Sequence, residues 1–364
     1  MMSGFIAVHV GAGYHGESSR PSYKRVCKQA CRAAIDLLRD GCDAVEAVTE
    51  AVTFLEDCPL TNAGTGSNLT LAGTVECDAG VMDGASLNYG SVGALCNIKN
   101  PVQVAKKLLE EQKKGLLSGG RIPPCTIVGK GALDWALDQG FNYVDSKHLL
   151  TKISERSYTK NLNLLQKPSI PVSRAFNSSL IIDKSQSFQN DELLDTVGAI
   201  CVDCFGNVSS AVSSGGLNLK HPGRIGQASI YGTGFWAQNS LEESKPNVAC
   251  TVTGAGEYLV KTLFAKECYN KLYEKYDCVS ALQDVFKEKF LNSPFLRNIN
   301  YKIAGVLTLK HYKHDNLCEI DWAHNTRTMI LGYGSTKRRK TVSHISEQPQ
   351  DNISVCGSGI IING

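Results

Sequence analysis

Between Asp195 and Thr196 the chain changes character abruptly, and this boundary restricts its fold more than any other feature. From about Ser146 the sequence is polar, rich in Ser, Lys and Asn, and it ends in NDELLD; from Thr196 it runs TVGAICVDCFGNVSSAVSSGG, small and apolar around one turn. Upstream, strand and helix signals alternate. FIAVHV predicts a strand ending in the turn at 11–13, and residues 23–39 predict a helix with Val26, Ala30, Ala33 and Leu37 on one face. Asp43 caps a second predicted helix carrying Val45, Val48, Val52 and Leu55. NAGTGSNL, residues 62–69, is a Gly-rich loop, followed by short strands at 75–79 and 92–98 and a helix from Pro101. Downstream the pattern turns to hairpins: strands at 196–204 and 208–213, then 230–237 and 248–253, helices at 257–275 and 280–291, and strands at 303–310, 318–323 and 329–332. Neither half closes a core alone. Residues 1–195 and 196–364 are therefore expected to share one α+β core, sheets packed together with helices outside.

Composition narrows the function classes. A formal net charge of +3 over 364 residues gives no basic field suited to nucleic acid. No apolar run is long enough for a membrane span, and MMSGFIAVHV reads as a first strand rather than a secretory leader. The 14 cysteines are scattered through apolar segments, where a thiol packs as a small hydrophobe. Cys201 and Cys204 form a lone C-x-x-C without a second pair at zinc spacing, so no metal site is expected there. Asp78 and Asp83 lack neighbouring His or further Asp and read as structural. The basic run KRRK, 337–340, reads as solvated surface, although taken alone it also allows a catalytically dead chromatin-associated protein.

The polar stretch of about 146–195 is longer than structureless loops usually are, so it asks for a role. Thr196 supplies one. A threonine hydroxyl is a weak nucleophile that needs a base, and a threonine at a chain start has its own α-amino group for that task. Such an amine titrates at about 7.7–8, so much of it is a usable base near neutrality. Cutting the Asp195–Thr196 bond would create it, a flexible segment ending at Asp195 would permit the cut, and Gly198 leaves room beside the strand.

The segment LDTVGAICVDCFGNVSSAVSSGGLNLKHPGRIGQ resembles the mature start of the threonine-aspartase branch of the type 2 asparaginase family, among the N-terminal nucleophile hydrolases. VHVGAGYH, TNAGTGSNL, ECDAGVMDG, VGALCNIKNPVQVA, GRIPPC and TGAGEYLV resemble the family in the same order, over nearly the whole chain except about 146–190 and the last forty or so residues. The resemblance implies a four-layer αββα sandwich, self-cleavage before Thr196, no cofactor or metal, and pairing of αβ units into α2β2. It assigns Thr196 as nucleophile, Ser214 as the hydroxyl touching its amine, and Asn62 with Thr253 as the pair polarising the attacked carbonyl. Gly11 supports the nucleophile, Gly254 and Gly256 form a substrate wall, and Arg224 grips the substrate's aspartate carboxylate. At Gln227, relatives acting on asparagine or isoaspartyl dipeptides carry an aspartate that holds the substrate's α-amine. Its replacement leads to the expectation of an endopeptidase cutting proteins at internal Asp sites, and the resemblance further implies nuclear chromatin and transcription regulators as substrates and a nuclear and cytoplasmic location. The other enzymatic reading is an asparaginase or isoaspartyl peptidase acting on small molecules.

Overall fold

In the computed structural model, residues 3–165, 196–315, 317–338, 340–348 and 356–363 are described. Asp195 of the expected cut and Arg339 of the basic run lie outside them. The first strand, β1 (Phe5–Gly13), is buried along its length, and its alternating side chains meet two different cores. Ile6, Val8 and Val10 face helices α1 (Arg20–Arg39) and α2 (Ala44–Glu56), while Phe5 and Ala7 join the other core. Strands β2 (Cys77–Asp83) and β3 (Tyr89–Leu95) lead into α3 (Pro101–Lys113), short β4 (Thr126–Val128) and α4 (Gly129–Asp138).

The polar stretch is not structureless where it is described. It begins with a 3-10 turn, Ser146–Leu149, and continues as α5 (Lys152–Leu165). This helix docks through polar groups, with Asn218 Nδ2 donating to Ser157 Oγ at 2.7 Å and the Tyr158 hydroxyl reaching the Leu71 carbonyl at 3.4 Å. An interface of that kind leaves no apolar stripe for periodicity to detect.

Thr196 opens β5 (Val197–Val202), which forms a hairpin with β6 (Val208–Ser214); β7 (Phe235–Gln238) and β8 (Asn247–Gly254) follow. The strand expected at 230–237 is thus shorter. Its first half is a turn in which Gly232 takes φ 78°, and a Cβ on Gly234 would lie 2.4 Å from the Gln227 carbonyl. The single helix expected at 257–275 is two, α6 (Gly256–Thr262) and α7 (Phe264–Glu274), broken at Leu263 with φ 47°. Leucine favours helix, so the break has no local signal; across it Lys266 N–H bonds to the Gly232 carbonyl at 2.9 Å. Helix α8 (Cys278–Asp284) and a π-helical turn lead to β9 (Ala304–Tyr312), β10 (Leu317–His324), β11 (Thr328–Ser335), β12 (Val342–Glu347) and β13 (Cys356–Asn363). The last two strands were not predicted, because β12 is mostly polar and lies on an edge.

The strands form an eight-stranded sheet, β12-β11-β1-β5-β6-β2-β3-β4, and a five-stranded sheet, β13-β10-β9-β8-β7. One core joins the eight-stranded sheet to α1, α2 and α3; the other joins both sheets to α6, α7 and α8. The described strands before and after Thr196 interleave, since β1 lies between β11 and β5. Among the described residues no helix is long and apolar enough to cross a membrane.

Glu56, at the end of α2, is fully buried. Its Oε1 accepts the Val102 N–H at 3.0 Å, at the first turn of α3, and its carbonyl accepts the Thr65 N–H at 2.8 Å in the Gly-rich loop. Burial raises its carboxyl from 4.5 to about 8. Below the unfolded value both states are protonated and nothing is lost. As pH rises through the interval to about 8, the unfolded chain ionises first and stability falls, by about 3 kcal/mol at neutrality. Glu56→Gln keeps an acceptor for Val102 and removes this penalty. Its Tm relative to wild type should therefore improve steadily from pH 5 to pH 8; a difference that stays constant across that range would show that Glu56 is ionised in the folded chain.

Candidate active site

Thr196, Gly198, Ile200 and Val202 share one face of β5, the face turned to the five-stranded sheet, while Val197, Ala199 and Cys201 face the helices. Thr196 is 2% exposed. Its hydroxyl donates to Ser214 Oγ at 3.2 Å and accepts from Gln227 Nε2 at 2.8 Å. Ser214 Oγ in turn accepts the Gly216 N–H at 3.0 Å. Two positions along β5, a Cβ on Gly198 would sit 2.1 Å from Thr251 Oγ1 and 2.5 Å from His9 Nε2. His9 Nε2 and Thr251 Oγ1 lie 3.2 Å apart, and His9 Nδ1 accepts the Gly11 N–H at 3.3 Å. Burial holds the His9 imidazole neutral, its pKa lowered to about 3. Gly11 has φ 107°, which a side chain would strain.

The Gly-rich loop is fixed beside Thr196 by backbone groups. Gly215 N–H bonds to the Asn62 carbonyl at 2.7 Å, Asn62 Oδ1 accepts the Asn68 N–H at 2.9 Å, and Asn62 Nδ2 donates to the Gly216 carbonyl at 2.9 Å. Thr253 lies on the same face of β8 as Thr251, fully buried, and its hydroxyl has no hydrogen-bond partner among the described residues. A buried hydroxyl without a partner is costly unless something else occupies the site. The structure thus brings Thr196, Ser214 and Gln227 into direct contact and ties Asn62 to them through Gly215 and Gly216.

Arg224 stands nearby, separated from Thr196 by Gln227. A Cβ on Gly256 would lie 2.6 Å from Gln227 Oε1 and 2.7 Å from Arg224 Nη2, and Cβ atoms on Gly216 and Gly226 would lie 3.0 and 2.8 Å from Nη1. Three glycines therefore clear the space around the guanidinium. Arg224 Nε and Nη2 grip Glu257 Oε1 and Oε2, both at 2.8 Å. Burial alone would raise the Glu257 carboxyl, but the hydrogen bonds and charge of Arg224 outweigh it and hold the group below its usual value. Asp78 anchors the loop: Oδ2 accepts the Gly226 N–H at 2.7 Å and Oδ1 the Ala94 N–H at 2.9 Å, while burial raises its carboxyl. Asp83 pairs with Lys113 at 2.8 Å, away from Thr196.

The sequence profile of the asparaginase family matches residues 2–343. The chain belongs to this family. An isoaspartyl peptidase/L-asparaginase of Xenopus laevis is 36% identical over 265 residues, 73% of this chain and 74% of its own length. The Homo sapiens isoaspartyl peptidase/L-asparaginase is 33% identical over 73% of this chain and 75% of its own. A putative isoaspartyl peptidase/L-asparaginase of Dictyostelium discoideum is 28% identical over 90% and 92%. As a member of the asparaginase family the chain is a hydrolase of the N-terminal nucleophile class.

These relatives overturn the expectation of an endopeptidase cutting after internal aspartate, and with it the nuclear regulators as substrates. The expectation rested on the resemblance to the threonine-aspartase branch, on the Asp195–Thr196 boundary, and on Gln227, taken as a missing anchor for a substrate amine. In the asparaginase fold of this chain the Gln227 amide is turned to the nucleophile candidate, so its neutrality says nothing about an amine site. The anion beside Arg224 is Glu257, a residue the sequence reading passed over inside TGAGEYLV because it reads as an ordinary first-turn acid of a helix. His9 was passed over as a strand residue in the same way, while Asp78, read as structural, holds two backbone N–H groups. Cys201 and Cys204 are free thiols, as are the other cysteines whose side chains are described.

The close approach at Gly198 has a measurable consequence. Gly198→Ala forces a methyl into two contacts far inside van der Waals distance and should destabilise by about 1–3 kcal/mol, with hydrolase activity lost. Gly131→Ala in α4, whose Cβ would meet only Ile127 at 3.9 Å, should melt like wild type. Equal Tm values for the two variants, read by thermal unfolding, would mean that the sheets do not meet tightly at Gly198.

Proposed function

We propose that this chain hydrolyses the amide on the side-chain carboxyl of an aspartyl unit, in an isoaspartyl dipeptide or in asparagine, after cutting itself before Thr196. The observation that carries the reading is the Arg224–Glu257 pair one residue away from Thr196. A guanidinium and a carboxylate side by side suit the two charged groups of an amino-acid head, α-carboxylate on Arg224 Nη1 and α-ammonium on Glu257. The names of the relatives agree with it.

In this reading Thr196 Oγ1 first attacks the carbonyl of residue 195. As the C–O bond forms the C–N bond breaks, which frees the Thr196 α-amine, and water then hydrolyses the resulting ester to give the residue-195 carboxylate and restore the Thr196 hydroxyl. In turnover the same hydroxyl, its proton taken by that amine, attacks the substrate's side-chain amide carbon. Ser214 keeps the amine and hydroxyl in register, and Gln227 holds the hydroxyl from the other side. Asn62 and Thr253 stabilise the oxyanion, an effect worth about 3–4 kcal/mol per donor. Ammonia or the amino end of a peptide leaves with the proton, and water releases aspartate from Thr196. The same proposal includes a four-layer αββα order, helices outside the two sheets, and α2β2 assembly; the two cores support the first.

Purified protein should yield a fragment beginning Thr-Val-Gly-Ala, and Thr196→Ala should stay whole. The processed enzyme should release aspartate from an isoaspartyl dipeptide or from asparagine. Glu257→Gln should raise KM tenfold or more for substrates with a free α-amine but not for an N-acetylated isoaspartyl dipeptide. Arg224→Ala should weaken all of them, by about 2–5 kcal/mol. A wild-type enzyme that cuts an internal Leu-Asp peptide and neither small molecule would refute the reading.

A further inference from the structure

A second cluster of reactive side chains lies away from Thr196, where α8 meets β10. Cys278 is the first residue of α8, and Glu319 and Asp321 stand two apart on β10, hence on one face of the strand. The Cys278 thiol and the two carboxylates approach until one donor atom of each lies within 4.8 Å of the others. Cys278 is fully buried and Asp321 only 1% exposed. Among the described residues no N–H or O–H group donates to either oxygen of Asp321. A buried carboxylate ordinarily collects several such donors, and this one faces a thiol and another acid instead.

Among the described residues one cation faces the cluster, and it is insufficient. Lys310, opposite Glu319 on β9 and 1% exposed, gives its Nζ to the Lys275 and Tyr276 carbonyls at 2.8 and 3.0 Å. With Cys278 deprotonated to bind a metal, the thiolate and two carboxylates carry three negative charges against this single positive one. A divalent cation would bring the group to neutrality.

We propose that Cys278, Glu319 and Asp321 bind a zinc ion, with water at the fourth position. A thiolate with two carboxylates is a donor set for borderline-soft Zn2+ and not for Mg2+ or Ca2+, which take oxygen alone. Zinc–sulfur and zinc–oxygen bonds of about 2.3 and 2.0 Å need donors about 3–4 Å apart, a modest contraction from the observed spacing. On binding, the thiol proton passes to solvent and nothing is oxidised. The ion would fasten the start of α8 to β10 on the face of the five-stranded sheet that carries α7 and α8, so its role is structural, and hydrolysis at Thr196 should not need it.

The test uses the full chain, stripped with a chelator and then titrated with zinc or cobalt. Zinc should raise the Tm of wild type, and cobalt should give a thiolate-to-metal charge-transfer band that saturates at one ion per chain. Cys278→Ser should abolish the band and weaken zinc binding at least tenfold. Asp321→Asn keeps the shape of the site and should be more stable than wild type without metal, yet respond little to zinc; it decides the matter if Cys278→Ser does not fold. An unchanged Tm and no band in wild type would overturn the proposal, as would a band that survives in Cys278→Ser, which would assign the metal to another cysteine.

Discussion

The missing side chain at Gly198 sets how closely the two sheets approach beside Thr196. His9 and Thr251 fill the place a Cβ would take, one from the neighbouring strand and one from the facing sheet. Because β5 is paired on both sides, by β1 and β6, its backbone has little freedom to relax, and the hydroxyl of Thr196 inherits a fixed position from that of Gly198. His9, kept neutral by burial, adds a hydrogen-bonding group there without adding charge. A charged group at this place would carry a large desolvation cost.

Around that fixed point the polar groups are held mostly by backbone. The Gly-rich loop reaches Thr196 through Asn62, Gly215 and Gly216, and its far end is tied to Glu56 and α3. Asp78 does the same for the loop that carries Arg224 and Gln227, taking one N–H from Gly226 and one from Ala94. Two buried carboxyls, both raised by burial, thus serve as anchors and not as acids in the reaction. The Arg224–Glu257 pair is different in kind. Glu257 is half exposed and Arg224 largely buried, so a ligand entering between them meets one group already stripped of water and one still hydrated.

The sequence by itself determined a great deal. Period-two and helical patterns placed β1, α1, α2, β5, β6 and β8, because in each of these one face or both is apolar and buried. It also gathered Thr196, Ser214, Asn62, Thr253, Arg224 and Gln227 as one set of candidates, since they sit in compact motifs in family order. Only the tertiary structure decided the rest. Leu263 breaks a helix that leucine favours locally, because the backbone of Lys266 is captured by Gly232, over thirty residues upstream. Helix α5 was invisible because its contacts are hydrogen bonds. The direction in which Gln227 points and the partnership of Arg224 with Glu257 were likewise not legible in the sequence. Both depend on contacts between segments distant in sequence, and the identity of a side chain does not fix which distant group will lie across from it.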